Sequence, residues 1–105
     1  MTPTQRTLKL LRDLGYLVGV TEKWVPQARK RQDLFGFADL AAVHPAHPAT
    51  LYVQTTSGSN HASRRTKLQA LSSVEVVKAA GNRVQIISWR RSARSRRWEP
   101  RIEEV

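Results

Sequence analysis

The sequence predicts a single-domain α/β fold, a mixed sheet flanked by helices. Three observations carry this. The chain has 105 residues, the size of one ordinary domain. Its apolar residues fall in runs of helical period at the start and of strand-like period further on. A helical stretch lies between two strand-like stretches, which makes those two strands parallel with a right-handed crossover. The expected order is helix, strand, strand, strand, helix, strand, then an edge strand over residues 98–105.

Thr2-Pro3-Thr4-Gln5 reads as a helix start, with Thr2 as cap, Pro3 at the first helical position and Gln5 closing a capping box. Leu8, Leu11 and Leu14 recur on one face, and Gly15 ends the helix, predicted over residues 3–14. Tyr16, Val18 and Val20, followed by Trp24 and Val25, predict one strand closed by Pro26. Residues 26–34 are polar and basic and are expected as loop. Phe35 to Val43 predicts a second strand, His44-Pro45-Ala46-His47-Pro48 a tight turn, and Thr50 to Thr56 a third strand, so that the pair forms a hairpin.

Ser57-Gly58-Ser59-Asn60 reads as a loop and a helix cap. A basic helix over residues 61–71 carries Arg64, Arg65 and Lys67. After Ser72 and Ser73, a second short helix places Val74, Val77 and Ala80 at helical spacing, with Gly81 as terminator. Arg83 to Trp89 predicts a strand buried on both faces. Residues 90–97 are an Arg-rich loop, and Pro100 confines the last strand to an edge.

Charge narrows the function. The chain carries 18 Lys and Arg against 8 Asp and Glu, a net +10, with 13 Arg to 5 Lys. Such a surplus implies an anionic partner, and nucleic acid is the default. Arg suits bidentate phosphate contacts. The competing view is that the basic residues only aid solubility. No apolar run approaches the roughly 20 residues of a membrane span. The first ten residues lack the pattern of a secretion signal, so the expected location is the cytoplasm, or the host cytoplasm for a phage-encoded chain. With no Cys, disulfides and Cys-based zinc sites are excluded. His44 and His47, three apart in a Pro-rich turn, offer no helix on which to hold zinc.

Among the acids, Glu22, Asp33 and Asp39 are not accounted for by a helix surface or by the acidic tail. Asp39 stands inside an apolar run, where a carboxylate needs a partner, a cation or an edge. It caps a bend, pairs with an Arg, or binds a metal. Gln54 lies 15 positions on, across the expected hairpin, so its amide oxygen is expected to meet the Asp39 carboxylate unless backbone or Arg satisfies it. Asp33 is within loop reach of the same cleft. A carboxylate with neighbouring side-chain oxygens is what Mg²⁺ accepts.

Here the chain resembles the PD-(D/E)xK nuclease superfamily. Gly36-Phe37-Ala38-Asp39 is similar to the G-x-x-D element of archaeal-type Holliday junction resolvases and small phage nucleases. Leu51 to Thr56 stands where their acid-x-Lys strand would be, and the opening helix stands where theirs leads the core. The stretches Arg31 to Gly36 and Gln54 to Asn60 look like the phage versions. The resemblance implies a restriction-endonuclease-like core, a homodimer, and Mg²⁺- or Mn²⁺-dependent hydrolysis of duplex or branched DNA. It casts Asp39, Gln54, Thr56 and Lys67 as the catalytic positions and Asp33, Asp39 and Gln54 as the metal ligands.

The departures are plain. Gln54 replaces the acid, Thr56 replaces the Lys, and Gln5 or Thr4 stands where resolvases place a helix Glu. Lys67 or Arg64 would have to supply the missing positive charge, and Asp33 the missing negative one. Arg29, Lys30, Arg31, Asn60, Arg64, Arg65, Arg90, Arg91, Arg94, Arg96 and Arg97 are the expected contacts to nucleic acid. Trp89 and Trp98, which bracket the last five Arg, either pack on the core edge or stack on unpaired bases. Two further readings stand beside the nuclease: a binding module of the same fold without hydrolysis, and a structural or ribosome-associated basic protein of another α/β fold.

Overall fold

A computed structural model describes residues 1–105. Helix α1 (Pro3–Asp13) begins as its sequence dictates: Thr2 Oγ1 accepts from the Gln5 N–H, Gln5 Oε1 accepts from the Thr2 N–H, and Pro3 occupies the first turn. Gly15 follows with φ +94°, a conformation that glycine adopts without steric cost. The chain then runs through β1 (Leu17–Val20), β2 (Lys23–Val25), β3 (Lys30–Gln32), β4 (Leu40–His44) and β5 (His47–Ser57). A 3₁₀ turn over Gly58–Asn60 leads to α2 (His61–Ala70), α3 (Ser72–Ala79), β6 (Arg83–Arg91) and β7 (Trp98–Glu104).

Five strands form one sheet in the order β1-β4-β5-β6-β7, and β2-β3 is a separate hairpin. β5 pairs parallel with β6, and every other pairing in the sheet is antiparallel. The α/β class, the mixed sheet and the parallel pair across the helical crossover therefore stand as expected. α1 covers one sheet face over Leu11, Leu40, Leu51, Val53 and Ile87. α2 and α3 cover the other over Phe37, Leu68, Val74, Val84 and Ile86. β6 buries both faces, as its adjacent apolar pairs required.

The structure corrects four expectations. Residues 16–25 are not one strand: β1 ends at Val20, and β2 leaves the main sheet. The segment 26–34 is not all loop, because β3 pairs with β2 at the register Lys23↔Gln32. Its three residues are all exposed, so no alternation marked it. Phe35 does not start the second strand. Residues 34–38 form a turn closed by the Leu34↔Ala38 bridge, with Phe35 at φ +57° and Gly36 at +82°, and β4 begins only at Leu40. Asn60 does not cap α2 with its side chain, which donates instead to Ser57 Oγ.

The layer between α1 and the sheet holds a buried polar link. Thr7 Oγ1 lies 2.9 Å from Thr55 Oγ1, donates to the Pro3 carbonyl at 2.9 Å, and accepts from Trp89 Nε1 at 2.9 Å. Trp89 thus packs into the core, while Trp98 stays half-exposed under the Arg6 guanidinium, 4.3 Å from its ring centroid. Only one ring of the pair is taken up by packing. Replacing Thr7 with Val would leave two buried polar groups short of a partner. Thr7→Val should cost about 1–3 kcal/mol in urea denaturation. Lys9→Ala, which breaks an exposed pair with Asp13, should cost under about 0.5 kcal/mol.

Candidate metal centre

The site grows from two local devices. The first is the β2-β3 hairpin. Continuing its register one step beyond Lys23↔Gln32 sets Glu22 opposite Asp33. The second is the backbone of Asp39. Its N–H donates to the Val53 carbonyl at 2.9 Å, and its own carbonyl accepts from the N–H groups of Thr21 (2.8 Å) and Glu22 (3.4 Å). Thr21 Oγ1 adds a bond to the Ala38 carbonyl. Asp39 therefore ties itself to β5 and carries Glu22 to the same place.

The tight turn after Asp33 completes the approach. Gly36 N–H donates to the Asp33 carbonyl, and Ser73 Oγ of α3 donates to the Phe35 carbonyl at 2.8 Å. One carboxylate oxygen from each of Glu22, Asp33 and Asp39 lies within 4.8 Å of the others, a cluster able to hold a metal ion. Asp39 is 5 % exposed.

β5 presents the neighbouring donors. Asp39 Oδ2 accepts from the Thr55 N–H at 2.9 Å and from Gln54 Nε2 at 3.4 Å. The aspartate and the amide that the hairpin was expected to join do meet, and no guanidinium fills the gap between them. Gln54 Oε1 is buried with no hydrogen-bond partner. A buried acceptor left unpaired costs roughly 1–3 kcal/mol, so this atom calls for a ligand. Thr56 shares the Gln54 face of β5 and is buried.

Cations sit at the rim. Lys67 Nζ of α2 is 3.9 Å from Asp33 Oδ2, and Arg31 Nη1 of β3 is 3.4 Å from Glu22 Oε1. Asp39 has no cation beside it. Burial, with the proximity of Asp33 and Glu22, lifts its carboxyl to about 7, although the Thr55 N–H acts in the opposite direction.

Of the expected site residues, Asp33, Asp39, Gln54 and Lys67 come together, with Thr56 next along the strand. Glu22 belongs with them. The sequence placed it among the unexplained acids but offered no route to the site, because the hairpin that delivers it has no apolar pattern. The expected nucleic-acid contacts divide. Arg29, Lys30 and Arg31 lie exposed on the β2-β3 hairpin, and Asn60 is exposed before α2. Arg90, Arg91, Arg94, Arg96 and Arg97 are exposed where β6 turns into β7, and Arg64 is half-exposed. Arg65 is already engaged: Nε and Nη2 each lie 2.6 Å from a Glu103 oxygen. That contact, with the His61 ring, pulls the Glu103 carboxyl down to about 2. Gln5, bound to Thr2, is occupied by its cap.

No family model, curated protein or solved structure matches the chain. No helix is long and apolar enough to cross a membrane.

The Asp39 carboxyl gives a pH test. Its folded value of about 7 exceeds the unfolded value of 3.8. Between these limits the folded chain holds a proton that the unfolded chain has released. The metal-free protein is therefore most favoured by this group below about pH 4 and loses that contribution as pH rises through 7, by up to about 1.4 kcal/mol per unit. Urea midpoints followed from pH 4.5 to 7.5 should fall more steeply in the wild type than in Asp39→Asn. At pH 7.5 a millimolar divalent cation should raise the melting temperature of the wild type and leave Asp39→Asn unmoved.

Proposed function

We propose that this chain is a metal-dependent DNA endonuclease that hydrolyses phosphodiester bonds, built on a restriction-endonuclease-like core of the PD-(D/E)xK kind. One observation carries the reading: the orphaned, buried Gln54 Oε1 beside three converging carboxylates at the end of the central strand. A core with no ligand to hold would have little reason to keep both. The Asp39 and Gln54 positions on adjoining strands also match those expected from the family's motif.

In this reading Glu22, Asp33 and Asp39 hold Mg²⁺ or Mn²⁺, with Gln54 Oε1 as a neutral donor. The amide needs only to turn over to bring that oxygen beside Asp39, since Nε2 now occupies the place. The ion supplies a bound water of lowered pKa and polarises the phosphate. The chain does the rest. Asp39, fixed by its backbone bonds to β5, orients the acid cluster. Lys67, close to Asp33, offsets the negative charge that develops on the phosphate. The exposed Arg of the β2-β3 hairpin and the β6-β7 turn hold the strand on either side. Branched DNA of the Holliday-junction type and a homodimer of this chain are the substrate and assembly that the family resemblance favours.

A second reading has its own support. Thr56 offers no charge where the family places Lys, and the nearest ammonium, Lys67, is turned to Asp33 rather than left free. This favours a module of the same fold that binds nucleic acid without cutting it. The deciding experiment is cleavage of plasmid and of a four-way junction with Mg²⁺, Mn²⁺ or EDTA. Metal-dependent cutting is expected. Asp39→Asn should lower it at least 100-fold, and Lys67→Ala at least tenfold, while both variants still bind DNA in a gel shift. No cutting of any substrate with either metal would leave the binding module.

A further inference from the structure

Beyond the acid cluster, the sheet carries a second polar feature on the same face. β6 and β7 pair at Ser88↔Arg101 and Arg90↔Glu99. Alternation along each strand puts these four side chains on one face, the face that α2 covers farther back. They form the floor of a cleft of about 650 Å³, and Gly58 and Ser59 form its wall. Gly58 packs so closely that an added Cβ would come 3.1 Å from Arg90 Cβ and 3.5 Å from the Trp89 carbonyl oxygen. Apart from Pro100, every lining residue is polar or glycine.

The floor is held rigidly from beneath. Ser88, 1 % exposed, lies with its Oγ 2.6 Å from His61 Nδ1. His61 Nε2 lies 2.9 Å from Glu103 Oε1, and Arg65 clamps Glu103. The charge above is free. Arg90 has no carboxylate partner, and Arg101 has only a long 3.8 Å contact to a Glu103 already held by two others. Glu99 is the one acid in the cleft.

The geometry points to a phosphate-binding subsite: the cleft holds one backbone phosphate of a nucleic-acid strand between the Arg90 and Arg101 guanidinium groups. Two guanidinium groups with a serine hydroxyl beside them recognise a phosphate, and 650 Å³ leaves room for its sugar. The strand origin of that phosphate rests on the nucleic-acid reading above. From Gln54 to Ser57, at roughly 3.3 Å per residue, the cleft is about 10 Å beyond the acid cluster, or some three nucleotide steps at about 3.4 Å each. A phosphate held there would fix the register of the strand relative to the acids. Glu99 opposes it, which gives the proposal a signature of two signs.

The test is a titration of the intact chain with inorganic phosphate, followed through the amide NMR signals of Gly58 and Ser59, and then with duplex DNA over a salt series. Wild type should show saturable shifts at both amides. Arg90→Ala with Arg101→Ala should abolish them and reduce the log-log salt slope of DNA binding by roughly 2. Glu99→Gln should tighten inorganic phosphate several-fold. All three substitutions are at exposed positions, and matching melting temperatures would confirm folding. Shifts absent from Gly58 and Ser59, phosphate affinity unmoved by Glu99→Gln, or an unchanged salt slope in the double variant would each overturn the subsite. Asp39→Asn carried in parallel keeps the two readings apart, because it leaves phosphate binding intact whether or not the chain cuts DNA.

Discussion

The period of two along β5 is the constraint on which the remainder of the molecule rests. This eleven-residue strand is paired on both sides, antiparallel with β4 and parallel with β6, so it has no freedom to slip. Leu51, Val53 and Thr55 must face α1, and Tyr52, Gln54 and Thr56 must face α2 and α3. The first set makes the core and the Thr7-Thr55-Trp89 link. The second begins as core at Tyr52 and turns polar at Gln54. A shift by one residue would exchange the faces, burying Gln54 under α1 and setting Val53 among the carboxylates. The backbone of Thr55 serves both sides, because its N–H points in the plane of the sheet to the Asp39 carboxylate while its hydroxyl meets Thr7.

That arrangement brings together charges that repel. Two carboxylates 4.8 Å apart cost roughly 3 kcal/mol at the effective dielectric of a partly buried site. Lys67 and Arg31 each offset one acid at the rim, and both contacts are longer than a good ion pair. Asp39, the deepest of the three, is relieved only by a backbone N–H and by retaining its proton. The Leu34–Ala38 turn adds a further cost, since Phe35 holds a left-handed conformation that a residue with a Cβ adopts reluctantly. Strain, like-charge repulsion and an unpaired amide oxygen meet within one small region, while the rest of the sheet is regular. Such concentration is typical of a site kept for its ligand.

The sequence disclosed what depended on near neighbours. The capping box, Pro3 and Gly15 delimit α1 because each acts within four residues. The hairpin of β4 and β5 was legible through its Pro-rich turn, and with it the meeting of Asp39 and Gln54. Phe35-Gly36-Phe37 misled because two aromatic residues at period two imitate a strand. In fact Phe37 goes to the core and Phe35 lies outside against Tyr52, and the glycine between them supports a turn. Glu22 was illegible as a site residue for a different reason. Its position follows from an exposed three-residue pairing and from the Asp39 carbonyl, neither of which leaves a pattern in side chains. The same holds for the cleft at Ser88, whose residues come from three segments and share only the parity of their strands.

The acids also explain where the positive surplus is available. Glu103 takes up Arg65 and the His61 ring, Glu104 binds Arg83, Glu22 takes up Arg31, and Asp33 lies near Lys67. Arg6 rests on Trp98. Arg91 Nε is turned inward to the Arg96 carbonyl, which steadies the β6-β7 turn. The cations left without a carboxylate include Arg90, Arg94, Arg96 and Arg97, all near the far end of β6, with Arg29 and Lys30 on the β2-β3 hairpin. Free cations thus stand on two protrusions, and each is tied to the acid cluster by a short run of chain: the hairpin through Glu22 and Asp33, and the end of β6 through its parallel pairing with β5. A polyanion drawn to both would cross the place where the acids converge. Net charge alone shows that such a partner is attracted, and the pairing of eight acids with chosen cations determines where it is received.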